Sequence, residues 1–344
     1  MAGGSGERFW PLSRMARPKH LVPLLSEVTL LEATVRRVEK ALPSSHIFVL
    51  TNAAQIEGCR AVLPQLKADQ FFAEPAKRDT APACALGTAL VRNVDPDAVV
   101  VFLPADALIE DAETFAEQLK ASSDLAAKSD SIVTFGIRPG HASTRFGYLE
   151  AGAALAESGA TCPFFKVERF VEKPDAVRAA EYLQSGKYFW NAGIFLWKVD
   201  TFLREARRSK PELARFIEEF PKTGGEGYIA EHFPGLPKIS VDYAIMEKAE
   251  RVTVAEAQFD WDDIGSWTAL PAHLPADEHG NTLRGAVAIH DAHGNIAIAT
   301  KRLIALCGVK DLIVIETEDA ILVCHRDAAE QIKHLQPKLP DEVR

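Results

Sequence analysis

A doubly wound, mostly parallel, Rossmann-like α/β sheet followed by a small C-terminal β-rich domain is the fold class this sequence predicts. Three observations lead there. Short apolar runs of strand length alternate with helically spaced apolar residues through most of the chain. A cluster of Pro271, Pro275, Asp277 and Gly280 then interrupts the rhythm. Beyond it only short runs recur, with turns between them. The boundary falls near residue 275, giving a larger unit over 1–275 and a smaller one over 276–344.

Each element has its own signal. Leu31, Val35, Val38 and Leu42 sit at helical spacing, and a β-rich run follows over 47–51. Helices are expected over 81–92 and 115–128, each followed by an apolar strand, over 98–103 and 131–137. Further on come a strand over 164–172, a helix over 175–184 stopped by Gly186, and a strand over 193–199. Residues 210–235, rich in Pro, Gly and charge, read as surface helices and loops. A strand over 252–259 closes the unit. In the smaller unit, runs over 286–289, 296–299, 303–306, 312–315 and 321–324 suggest a short β-helix-like solenoid or a meander. A helix over 327–335 should end it.

Composition narrows the function. The chain has 344 residues, 47% hydrophobic and 25% charged, with a net charge of -9. Those values fit a globular protein with an ample core and exclude disordered and collagenous classes. No apolar run approaches the ~20 residues of a membrane span. No basic segment with an apolar stretch opens the sequence. Five cysteines, odd in number and never in CxxC, suit a reduced cytoplasmic protein without structural zinc. The acidic balance argues against nucleic acid, so an anionic ligand needs a local cationic cluster.

Four constellations carry chemistry. Gly3, Gly4, Ser5 and Gly6 precede Glu7 and Arg8, with Arg14, Arg17 and Lys19 close behind. Glycines let successive N–H groups converge into a phosphate-binding nest, and the cations supply charge. A mobile Gly/Ser tail is the plainer alternative. Asp106 directly follows the expected strand over 98–103, where open α/β sheets bind ligands and a carboxylate can hold a metal over phosphates. Capping of the next turn is its alternative. Asp263, within Trp261-Asp262-Asp263-Ile264-Gly265, could join it on the same metal, or cap a helix beginning near Ser266. Glu172, Lys173, Asn191, Gly147 and Asp242 offer carboxylate, amide and backbone groups suited to sugar hydroxyls, with Lys173 suited to a sugar phosphate.

In order along the chain these motifs resemble the sugar-nucleotide pyrophosphorylases, and more narrowly their mannose-1-phosphate guanylyltransferase branch. The likeness runs from residues 2–14 and Pro18-Lys19 through Ala73-Glu74-Pro75, Asp79-Thr80-Ala81-Pro82 and Pro104-Ala105-Asp106. It continues through Phe146-Gly147-Tyr148, Glu172-Lys173-Pro174, Trp190-Asn191-Ala192-Gly193, residues 240–244 and residues 261–267. The resemblance implies GMP transfer from GTP to mannose 1-phosphate, giving GDP-mannose and pyrophosphate, with magnesium (Mg2+) on Asp106 and Asp263. It implies catalytic roles for Arg8, Lys19, Asp106 and Asp263, and nucleotide contacts from Gly3 to Arg8 and from Lys19 and Asp106. Glu74, Asp79, Thr80, Ala81 and Pro82 should border the guanine. Gly147, Glu172, Asn191 and Asp242 should read the mannose and Lys173 its phosphate. A homodimer is a candidate assembly.

Two departures stand out. The family usually has His after the metal-binding Asp, where this chain has Ala107. The family's glycine loop also follows a first β-strand, whereas Met1 stands almost on the loop, so an omitted strand upstream is expected. Two alternatives stay open: a pyrophosphorylase using another nucleotide or hexose 1-phosphate, and a non-catalytic nucleotide-sugar sensor.

Overall fold

In the computed structural model, residues 1–4, 6–157 and 161–344 are described; Ser5 of the expected nest lies outside them. The larger unit runs α1 (Leu30–Val38), β1 (Val49–Asn52), α2 (Ile56–Val62), β2 (Phe71–Glu74), α3 (Thr80–Val94), β3 (Val99–Phe102) and α4 (Ala112–Lys128). Then come β4 (Ile132–Ile137), β5 (Gly147–Ala154), β6 (Phe164–Glu172), α5 (Ala176–Ser185), β7 (Tyr188–Lys198), α6 (Val199–Ser209), α7 (Pro211–Glu218), α8 (Gly225–His232) and β8 (Val252–Glu256).

The α/β class is as expected, but the sheet is more mixed than the alternation suggests. Its strand order is β3-β7-β4-β8-β6-β5, with β1 and β2 forming a separate parallel pair. β4 and β8 pair in parallel, while β7 runs antiparallel to β3, β4 and β5, and β6 antiparallel to β8 and β5. The connection from β5 to β6 is too short for a crossover helix, which fixes that pair as antiparallel. β7 also begins at Tyr188, earlier than the expected 193, so Asn191 lies within the strand rather than before it.

Strand alternation divides the core. Along β7, Phe195 and Trp197 enter the cluster with Phe102 and Phe202, whereas Ile194 and Leu196 enter the cluster with Phe115 and Phe135. Period-two geometry forces this two-faced burial, with helices covering both faces. The Trp197 indole nitrogen, fully buried, donates to Thr88 Oγ1 at 3.2 Å, so its polar atom is satisfied.

Met1 and Ala2 bridge β1 and β3. The Met1 ammonium donates to Leu103 O at 2.7 Å, Ala105 N to Met1 O at 3.0 Å, and Ala2 N to Leu50 O at 2.8 Å. Beside this bridge lies an apolar cavity of about 480 Å³, lined by Val49 and Leu50 of β1, Val99–Phe102 of β3, and Leu31, Val35 and Val38 of α1. Burial holds the Met1 ammonium below the usual range for a chain terminus.

The smaller unit is a solenoid, which decides between the two expectations for it. β9 (Thr282–Arg284), β11 (Ile296–Ala299) and β13 (Leu312–Glu316) stack in parallel, as do β10 (Val287–His290) and β12 (Ile304–Cys307). β14 (Ile321–His325) returns antiparallel on β13. Buried asparagines tie the coils: Asn295 Nδ2 donates to Asn281 Oδ1 at 2.9 Å, and Leu312 N donates to Asn295 Oδ1 at 2.9 Å. The closing segment is a 3-10 helix, Arg326–His334.

The Pro- and Gly-bearing stretch between the units is not a loose linker. It starts in the 3-10 helix Trp267–Ala272, whose Trp267 and Leu270 are fully buried, and it turns on Asp277, which accepts from Asn281 N at 2.8 Å. One apolar cluster joins Phe9 and Trp10 to Ile264, Trp267, Ile313, Ile315 and Ile332, so the solenoid packs directly against the glycine-loop segment.

Candidate active site

Close packing explains the last glycine of the loop, Gly6. Gly6 has φ 59°, and a Cβ there would lie 2.6 Å from Lys19 backbone and side-chain atoms, so only glycine allows this approach. Ser13 Oγ donates to Gly6 O at 2.7 Å, and Phe9 docks edge-on against Trp267 at 5.1 Å. Gly3 and Gly4 are exposed ahead of this turn. A Cβ on Gly3 would be 4.0 Å from Glu74 Oε1, which puts the end of β2 beside the loop.

Lys19 is 5% exposed, and its ammonium lies 3.3 Å from Asp106 Oδ2 while donating also to the Asp263 carbonyl. Two distant carboxylates meet here because their segments pair: Leu108 N donates to Asp262 O at 2.8 Å and Asp262 N to Leu108 O at 3.1 Å. Asp262 takes the structural work, accepting from Ile264 N at 2.7 Å and contacting His273 Nε2 at 2.8 Å. Ser266, not Asp263, is the residue before the Trp267 helix. The capping alternative for Asp263 therefore falls away.

The Asp263 carboxylate faces the cavity with both oxygens 3.0 Å from Arg145 Nη2. Burial pushes its pKa up, opposed by Arg145 and Lys19. Arg8 Nε stands 2.7 Å from Glu330, and Arg145 Nη1 contacts the same carboxylate at 3.2 Å. Around these groups lies a cavity of about 480 Å³, lined also by Glu7, Ala107, Phe146, Asn191, Gly193, Trp261 and Lys333.

The sugar-directed residues cluster at one end. Asn191 Nδ2 donates to Asp242 Oδ1 at 3.1 Å, while Asn191 Oδ1 accepts from Thr134 Oγ1 at 3.0 Å. A Cβ on Gly147 would lie 2.5 Å from Glu172 Oε2, so glycine lets that carboxylate sit against the strand. Lys173 pairs with Glu172 at 2.9 Å. Burial and then the Glu172 charge push Asp242 up to about 7.

The guanine-directed residues divide. Burial lifts Glu74 to about 7. Asp79 caps Thr80 N at 2.8 Å, and Thr80 Oγ1 accepts from Val241 N at 2.8 Å. Ala81 and Pro82 are both buried, with Ala81 enclosed in the α3 core. The first turn of α3 packs against the sheet because Ala81 and Ala85 lie on one helical face.

The sequence pattern missed Arg145, Glu330 and Lys333. Arg145 directly precedes the Phe146-Gly147-Tyr148 motif, so proximity was an available signal. Glu330 and Lys333, in a polar stretch of the solenoid unit, carried none.

Asp106 and Asp263 are the residues here that could hold Mg2+. Both carboxylates line one cavity, and each is paired with a cation, Lys19 on Asp106 and Arg145 on Asp263. No group of three or more His, Cys, Asp or Glu side chains able to hold a metal occurs among the described residues. An ion here would need ligand oxygens as well, which is how Mg2+ usually binds beside phosphates.

One cavity brings Gly6, the buried Lys19 and the carboxylates of Asp106 and Asp263 together, and comparison with known proteins says which family builds such a site. A family model for nucleotidyl transferases matches residues 1–279, and one for a MannoseP isomerase/GMP-like β-helix domain matches residues 285–339. Mannose-1-phosphate guanylyltransferase of Klebsiella pneumoniae is 34% identical over 340 residues, 97% of this chain and 71% of that protein. Xanthan biosynthesis protein XanB of Xanthomonas campestris pv. campestris B100 is 36% identical over 342 residues, again 97% and 71%. A crystal structure described as mannose-1-phosphate geranyltransferase from Thermus thermophilus superposes with TM-score 0.88 at 34% identity, covering 98% of this chain and 97% of that one. The chain belongs to the nucleotidyl transferase family, on the branch that holds the Klebsiella mannose-1-phosphate guanylyltransferase.

Proposed function

We propose that this enzyme transfers GMP from GTP to mannose 1-phosphate, forming GDP-mannose and releasing pyrophosphate. The observation that carries the reading is one cavity lined by Gly6, Arg8, Lys19, Asp106, Asp263 and Asn191. A phosphate oxygen of mannose 1-phosphate attacks the α-phosphorus of GTP as the bond to the β-phosphate bridging oxygen breaks. That oxygen is already anionic, so no side chain need activate it. The barrier is gathering anions and holding the in-line geometry.

Each residue then has a part. The glycine loop and Arg8 hold the triphosphate, and Lys19 faces the departing pyrophosphate. Glu74, Asp79, Thr80, Ala81 and Pro82 border the guanine. Gly147, Glu172, Asn191 and Asp242 read mannose hydroxyls, with Lys173 on the sugar phosphate. Asp106 and Asp263 would hold Mg2+, which supplies charge neutralisation between the two reacting phosphates. No helix among the described residues is long and apolar enough to cross a membrane. A cytoplasmic location belongs to the proposal, on the cysteine pattern, with all five thiols free.

A pyrophosphate-release assay with GTP, mannose 1-phosphate and Mg2+ tests the reading. Release that depends on both substrates is expected. No release with any nucleotide and hexose 1-phosphate would favour a sensor. GTP should exceed ATP at least about tenfold in kcat/KM, since the wrong base leaves a polar group unpaired. Equal use would point to a broader pyrophosphorylase.

A further inference from the structure

Arg8 and Arg145, two partly exposed cations of the cavity, share a counter-ion from the other domain. Glu330 lies 2.7 Å from Arg8 Nε and 3.2 Å from Arg145 Nη1. It stands on the 3-10 helix Arg326–His334, whose Ala329 and Ile332 are buried in the cluster with Phe9 and Trp267. Lys333 of the same helix lines the cavity. The helix is therefore anchored as cavity wall, while the Glu330 side chain, 46% exposed, is free to swing into solvent.

We infer that Glu330 is a specificity-determining residue of the nucleotide site: a resident carboxylate exchanged for phosphate oxygens when a polyphosphate binds. This rests on the proposed function only in taking Arg8 as a triphosphate ligand. The physical case has two parts. Glu330 and a triphosphate compete for the same guanidinium groups, and Glu330 left between them would repel the ligand. An exposed ion pair is weak, so a polyphosphate that engages both arginines displaces it at modest cost. A single-site anion must compete with a tethered carboxylate already at high effective concentration. The device filters against weak anions, a form of discrimination by an opposing charge.

The test is calorimetric titration of the full chain and its Glu330→Gln variant with inorganic pyrophosphate and with GTP, at low and high salt. At low salt both probes should bind the variant about three- to tenfold more tightly, the scale of losing two exposed ion pairs. High salt should shrink that gain. The KM for GTP should fall while kcat stays within about twofold, a split that a merely structural role would not give. Adding Arg8→Ala should remove most of the gain. Glu330→Ala, read alongside, guards against an effect peculiar to the amide. Unchanged or weaker pyrophosphate binding in a variant that melts like wild type overturns the inference. Pyrophosphate requires neither guanine nor mannose recognition. Tighter pyrophosphate binding in an enzyme that makes no GDP-mannose would sink the functional reading and leave Glu330 standing; GDP-mannose formation with Glu330→Gln indifferent to pyrophosphate would do the reverse.

Discussion

Asp262 and Asp263 are adjacent, yet the structure gives them opposite work. Asp262 is spent on the Ile264 amide and His273, whereas Asp263 turns both oxygens to the cavity. Asp263→Asn and Asp106→Asn should each lower kcat at least about 100-fold with little change in Tm, and the double variant should be far from additive. Near-wild-type turnover in either single variant would refute the paired role. Asp262→Asn should instead lower Tm. Asp242 gives a pH test. Its folded pKa of about 7 lies above the ordinary carboxylate range, so the native state holds a proton that the unfolded chain has lost. Its contribution to stability is therefore fully present below about pH 4, declines as pH rises towards 7, and is gone above it. Asp242→Asn should raise Tm by about 2–4 °C at pH 8 and much less at pH 5, the scale of roughly 1 kcal/mol left after solvent screening. An equal shift at both pH values would show that the proton is not involved.

At the scale of elements, legibility followed periodicity. The helices around Val35, Ala85 and Leu119 and the strands through Val100 and Phe135 were readable because one buried face or a continuous apolar run marks each. β5 and β9 were not: β5 opens on a glycine and ends in exposed alanines, and β9 has three residues. Strand direction was hidden as well, because β7 pairs with β3 and β4 across long sequence distances that no local pattern encodes. Within the site the compact motifs were legible, while Glu330 was not, since its meaning comes only from where the solenoid packs. The asparagine ladder shows how that packing is specified. Asn295→Ala would strand Leu312 N in a buried turn and remove the side-chain bonds to Asn281 Oδ1 and Val309 O, which keep Asn295 N and His293 N as donors. A loss of about 2–4 kcal/mol is expected, read by denaturant melts. GTP affinity should fall with it, because the solenoid shares its core with Phe9 and Trp10. A stable variant with normal affinity would mean the ladder is dispensable.

The whole molecule carries a net charge of -9, yet the cavity proposed to take phosphates has Arg8, Lys19, Arg145 and Lys333 in its lining beside Glu7, Asp106 and Asp263. Such local concentration against the global charge makes ligand capture sensitive to how rigidly the cations and the glycine loop are held. The loop's entry is one such support. Met1 and Ala2 are its hydrogen-bonded anchor between β1 and β3, and the apolar cavity of about 480 Å³ lies alongside them. That cavity has strand edges on two sides and Leu31, Val35 and Val38 as floor, the surroundings of a central strand in an α/β sheet. Fusing about five β-branched residues ahead of Met1 should let backbone groups pair with β1 and β3 while alternate side chains fill the space. Three apolar side chains at ~1.5–3 kcal/mol each roughly offset the cost of ordering so short a segment, and the strand hydrogen bonds tip the balance. Tm should rise, and GTP should bind more tightly because the loop then leaves a fixed strand. A fusion of equal length made of Gly and Ser serves as the control, since it can pair but cannot fill the cavity. If the apolar and Gly/Ser fusions match the parent chain in Tm and GTP affinity, neither the cavity nor the loop entry limits this fold, and the Phe9–Trp267 contact would be its sufficient anchor.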